Sequence, residues 1–165
     1  MRKTITVILI VILAAAIIQP LIETANVLKE SLTLDAAIES SCRAAENNSL
    51  IYEELGRQNA GIDKNAFREG FSEAFEDTLS LTRLDSRDNL ISFTSPSKRW
   101  NQIDVKIDIV PVIIDGQMDP QSSKVTVNID TPYAFRTALL KAAVGEKTEN
   151  FRIRLERTFI IQVTN

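Results

Sequence analysis

The chain of 165 residues contains no histidine, a single cysteine and only five glycines. The missing histidine excludes Ser-His-Asp and Cys-His nucleophilic catalysis and the usual zinc and copper ligand sets. Cys42 has no second thiol, so neither an internal disulfide nor a dithiol redox motif can form. With so little glycine there is no Walker-type phosphate loop and no G-x-G-x-x-G turn. Positive charge is scarce as well. The 19 basic residues face 22 acidic ones, for a net charge of −3. This leaves no basic patch to hold a nucleic-acid backbone or an anionic lipid surface. No catalytic residue, metal or cofactor is expected from this inventory, and nucleic acid is not an expected partner.

What the chain has in abundance is an apolar start. After Met1-Arg2-Lys3 come Ile5, Val7, Ile8, Leu9, Ile10, Val11, Ile12, Leu13, Ile17 and Ile18, in a stretch from Thr4 to Ile22 interrupted only by Thr6, Gln19 and Pro20. A helix of that length just spans a hydrocarbon core of about 30 Å. Arg2 and Lys3 precede it, and Glu23 opens the other flank. The positive-inside rule therefore predicts a single-pass anchor over 1–22, with the N-terminus cytoplasmic and an extracytoplasmic domain over 23–165. The rival is a cleaved signal peptide, for which Ala14-Ala15-Ala16 offers a site. Against it, Ile17, Ile18, Leu21 and Ile22 prolong the apolar run past that site.

Beyond Pro20 the period is helical. Leu21, Ala25, Leu28, Leu32 and Ala36 form one stripe, and Leu34, Ile38, Cys42 and Ala45 an adjacent one. The pattern predicts a helix over 23–46, fused to the anchor with a kink at Pro20. Leu21, Ala25, Leu28, Leu32, Ala36 and Cys42 are the expected helix assembly face. Cys42 is read first as a small buried hydrophobe and second as an intermolecular disulfide partner. Asp63 has the character of an N-cap for a second helix over 63–80, with Phe67, Phe71 and Phe75 on one face.

The period changes to two in the sheet region, 90–165. Strands are expected at Leu90–Thr94, around Ile103–Ile109, around Val125–Ile129 and from Phe151 onward. Pro111 marks an edge or bulge. Asp115 through Ser123 reads as a turn, and Asp115 and Asp119 as a remote calcium possibility. Thr131-Pro132 reads as the N-cap of a short helix carrying Phe135, Ala138, Leu139 and Ala142 and ended by Gly145. Asp104, Lys106 and Asp108 read as the wet face of a strand, with Arg152 and Arg154 as cross-strand partners. The class is α+β: a long transmembrane-plus-amphipathic helix, a helical segment and a small antiparallel sheet.

The run Leu34-Asp35-Ala36-Ala37-Ile38 through Cys42-Arg43-Ala44-Ala45, placed behind a single apolar segment with a proline in the helix, resembles the TadE-like minor pseudopilins of tight-adherence pili. The resemblance covers residues 5–46 and agrees with the rest in layout only. It implies a non-enzymatic, membrane-anchored subunit of a pilus or secretion apparatus. Such a subunit would contact membrane lipid and form homo- or hetero-oligomers with other pilin-like or secretion subunits through its N-terminal helix. One departure stands out. Met1–Ile5 has neither the glycine nor the early glutamate of pilin-like precursors, and Glu23 follows the apolar run instead of opening it. The alternative function is a membrane-anchored binding or sensor module.

Overall fold

The computed structural model describes residues 2–51, 61–96, 100–114, 117–135, 137, 140 and 151–162. One helix, α1 (Arg2–Ser49), takes up the whole first part of the chain. Its 48 residues are about 72 Å long at the α-helical rise. Pro20 lies inside it and does not interrupt it. The proline removes one backbone donor, and one turn later the Thr24 hydroxyl donates to the Pro20 carbonyl at 2.9 Å. The helix outruns its expected end at 46 by three residues, stopping at the Asn47-Asn48-Ser49 stretch. Its N-terminal part is long and apolar enough to cross a membrane, and none of that window is buried.

A two-residue strand β1 (Leu50–Ile51) pairs antiparallel with β2 (Gly61–Ile62). Helix α2 (Lys64–Leu79) follows. Asp63 caps it as expected, accepting from the backbone N–H groups of Asn65 at 2.8 Å and Ala66 at 3.1 Å. Ser80 ends the helix in the left-handed conformation.

Five antiparallel strands form a meander in chain order: β3 (Thr82–Arg87), β4 (Leu90–Thr94), β5 (Ile103–Ile114), β6 (Gln117–Pro132) and β7 (Arg152–Gln162). Cross-strand rows such as Ile109–Val125–Phe159 and Val105–Ile129–Leu155 place odd-numbered residues on one face. That face is covered by the helices. Phe67, Phe71 and Phe75 of α2 and Leu34, Ala37, Ile38, Cys42 and Ala45 of α1 join Phe93, Ile103, Val105, Ile107, Val125, Val127 and Ile129 in one buried cluster. The architecture is α+β, with two helices on one face of an antiparallel sheet.

Three sequence expectations need correction. The stretch from Gln117 to Ser123 is strand, not turn. Ile114 pairs with Gln117, and residues 115–116 lie outside the described residues. Pro111 pairs with Ser123 and Val112 with Asp119, so residues 120–122 have no partner on β5. This bulge is where both Pro111 and Pro120 fit without breaking a ladder. Thr131-Pro132 is no helix cap. Thr131 is buried at the end of β6, and its hydroxyl donates to the Gln102 carbonyl at 2.7 Å instead of accepting from a helical N–H. Phe135 is not helical, and Ala138, Leu139, Ala142 and Gly145 lie outside the described residues. Finally, β3 was not foreseen. Its only apolar residue, Leu84, is exposed, while Arg83 reaches back to Glu69 and Glu76 of α2.

Candidate functional site

From Leu21 to Ser49, α1 carries one stripe that faces the head and one that faces away from it. The stripe Leu34, Ile38, Cys42 and Ala45, with Ala37 and Ser41, is buried against α2 and the sheet. Gly70 of α2 makes the close approach possible. A Cβ there would meet the Ala45 Cα at 3.3 Å.

The neighbouring stripe looks outward. Leu21 is 63% exposed, Leu28 and Leu32 are 60% exposed, and Ala25 and Ala36 are exposed as well. Cys42 does not share this face. It is 3% exposed within the core, because the helical spacing from Ala36 rotates position 42 toward α2 and the sheet. Burial, with the Glu46 carboxylate adding to it, pushes its thiol up to about 12. At that value the thiolate needed for disulfide exchange is all but absent. Of the expected assembly face, five positions therefore lie together on a free surface and the sixth lies in the core.

The free stripe is the floor of a shallow groove of about 760 Å³, lined by Ala25, Leu28, Leu32 and Ala36 of α1 and walled by Thr78 and Leu79 of α2. The residues expected to form the anchor, Ile5, Val7, Ile8, Leu9, Ile10, Val11, Ile12, Leu13, Ile17 and Ile18, continue it upstream, each between 52% and 65% exposed. One apolar surface thus runs from the first turn of α1 to Ala36.

Two polar contacts fix α1 to the sheet, and neither was foreseen. Asp35 forms a two-pronged ion pair with Arg157 of β7, which occupies the helix-facing row Ile107–Val127–Arg157. The Arg157 hydrogen bonds, reinforced by its charge, hold the Asp35 carboxyl below the usual carboxylate range. Nearer the anchor, Glu23 is 1% exposed. Its carboxylate accepts from the Tyr133 hydroxyl at 3.0 Å and from the Thr137 backbone N–H at 2.8 Å. The only sequence signals for these contacts were an acidic residue directly after an apolar run and an arginine interrupting a period-two strand.

The outer face of the sheet is charged and self-paired. Arg152 bonds Asp130 at 2.5 Å and approaches Asp104 at 3.8 Å, and Arg154 lies 3.5 Å from Asp130. Lys106 pairs with Asp108 at 2.8 Å, and Asn89 donates to the same residue at 2.7 Å. Of the pairing expected with Asp104 or Asp108, only the longer Arg152–Asp104 approach is present, and both arginines centre on Asp130 instead. A depression of about 500 Å³ lies over this face, and Asp104, Lys106, Asp130 and Arg154 in its lining are all engaged in ion pairs. No cluster of three metal-ligating side chains occurs among the described residues. Asp115 and the Asp119 side chain lie outside what is described. Comparison with known proteins gave no matching family model, no matching curated protein and no matching solved structure.

Proposed function

We propose that this chain is a non-enzymatic subunit held in a membrane by the first part of α1, with its α+β head on the extracytoplasmic side, and that it assembles through the free face of α1. The reading extends to a subunit of a pilus or secretion apparatus, in keeping with the TadE-like resemblance of residues 5–46. One observation carries it. The stripe Leu21, Ala25, Leu28, Leu32 and Ala36 remains exposed although the same helix has already buried its other stripe in its own head. An apolar face left over after folding marks a contact with something else.

Equivalent helices from neighbouring subunits would cover this face. In the bilayer, the apolar segments pack side by side. Outside it, leucine side chains leave water, each supplying about 1.5–3 kcal/mol if fully buried. Arg2 and Lys3 before the span and Glu23 after it set the orientation.

Site-directed cross-linking tests the reading. In a Cys42→Ala background, which has no other thiol, cysteines at Leu28 and Leu32 should form disulfide-linked oligomers in native membranes on mild oxidation. A cysteine at Lys124, on the outer sheet face, should not. Monomers at both helix positions, together with a monomeric mass in mild detergent, would remove the basis for assembly through this face.

A further inference from the structure

The membrane-proximal end of the head carries three aromatic rings that the assembly reading does not use. Tyr133 stands edge-on to Phe135 at 5.5 Å and to Phe151 at 6.1 Å, and Phe135 lies 5.1 Å from Phe151. The backbone N–H of Tyr133 donates to the Phe151 carbonyl at 2.9 Å, which closes the cluster where β6 ends and β7 begins. Phe151 remains 37% exposed, Phe135 is half-buried and Ala134 is exposed. Tyr133 packs against the core of the head, while Phe135 and Phe151 are not among its core residues.

Its position in the fold gives it a use. Tyr133 and Thr137 are both bonded to Glu23. Glu23 immediately follows Ile22, the last residue of the apolar run. Tyr133 is therefore fastened beside the point where α1 would leave the hydrocarbon, and the Phe135 and Phe151 rings lie 5.5 Å and 6.1 Å from its ring. A carboxylate buried there is tolerated only if hydrogen-bonded, and the Tyr133 hydroxyl and Thr137 N–H, donating to Glu23, lock the aromatic segment at that height. Tyrosine, with one apolar and one polar end, concentrates at this depth of a bilayer, and the two phenylalanines beside Tyr133 add apolar area that can enter the upper acyl region.

We propose that Tyr133, Phe135 and Phe151 form an interfacial aromatic seat that rests the head on the phospholipid surface around its own anchor. The partner is the lipid headgroup and upper acyl region, engaged by ring burial and not by charge, in line with the acidic balance of the chain. The seat fixes the tilt of the head relative to the span. This inference rests on the membrane reading of α1.

The test uses the full chain in vesicles of phosphatidylethanolamine and phosphatidylglycerol, with the photoreactive analogue benzoylphenylalanine in place of Phe151. The control carries it in place of Ile113, which is 68% exposed near the β5–β6 turn, at the opposite end of the sheet. Irradiation should yield phospholipid adducts at 151 and none at 113. Adducts at neither position, equal adducts at both, or a product at 151 joined to a second copy or to the chain itself would each overturn the seat. A carbonate wash separates the two readings. If the chain stays in the membrane but gives no lipid adduct at 151, the seat alone fails. If the chain is released, the anchor fails with it.

Discussion

Cys42 shows how a residue with reactive chemistry can serve as packing alone. It sits in the core between α1 and the head with its thiol pushed up to about 12, burial being the main cause and Glu46 the second. Both effects disfavour the thiolate, the only nucleophilic form of the side chain. Iodoacetamide at neutral pH should leave Cys42 unlabelled in the folded chain and label it fully once denaturant is added, as read by intact mass. Labelling of the native protein at the rate of a free thiol would mean that α1 detaches from the head. Glu23 is the opposite case, a residue that reads as a plain boundary charge and turns out to be buried and bonded across more than a hundred residues of sequence.

At the scale of elements, hydrophobic period carried most of the information. The four-three spacing from Leu21, the phenylalanine stripe of α2 and the alternation of β5 and β7 were legible because a buried face imposes its own period on the sequence. The two stripes of α1 were visible as well, but not which of them the head would cover. That choice depends on where Phe67, Phe71 and Phe75 are brought by the chain reversal after Ser49, and no local pattern encodes it. β3 was illegible because its partner for α2 is an arginine and its leucine points outward. The start of β6 was misread because Pro120 signals a turn wherever it stands, and only the register with β5 shows that a bulge accommodates it.

Gly70 belongs to this scale too. A glycine in the middle of a helix costs stability relative to alanine, so its presence calls for a packing reason. The reason is the Ala45 backbone, 3.3 Å from where a Cβ would stand. Gly70→Val should push α1 and α2 apart and destabilise the head by about 1–3 kcal/mol, the usual cost of overpacking. Urea unfolding in detergent, followed by Trp100 fluorescence, measures this. An unchanged midpoint would show that the two helices do not meet as closely as described.

For the whole molecule, the decisive contacts are those that join its first element to its last. The Asp35–Arg157 pair links α1 to β7, with Glu39 as a further negative charge acting on Arg157. The carboxyl of Asp35 is held low in the folded state, so the pair stabilises the fold above the ordinary aspartate range, around pH 4, and is lost as pH falls through the depressed folded value. Asp108 has the same sign, its carboxyl held low first by Lys106 and then by Asn89. Thermal unfolding followed by circular dichroism should therefore show a transition temperature that falls as the solution is acidified below about pH 4. Asp35→Asn should begin lower at neutral pH and show a shallower fall. An identical acid profile for Asp35→Asn would assign the sensitivity to other carboxylates.

The meander of the sheet has a consequence for timing. Strands β3 to β6 each pair with the strand before or after them, so most of the sheet can form as its residues become available. The exception is α1. It precedes the whole sheet in the chain, yet Arg157, its partner on β7, lies 122 residues beyond Asp35. Until β7 is added, the stripe Leu34, Ile38, Cys42 and Ala45 lacks part of its cover and resembles the stripe that is meant to remain open. A newly made chain would then present two sticky faces on one helix where the finished one presents a single face. Under the assembly proposed above, association with neighbours would have to wait for β7, and that strand would act as the checkpoint separating a folded subunit from a premature aggregate.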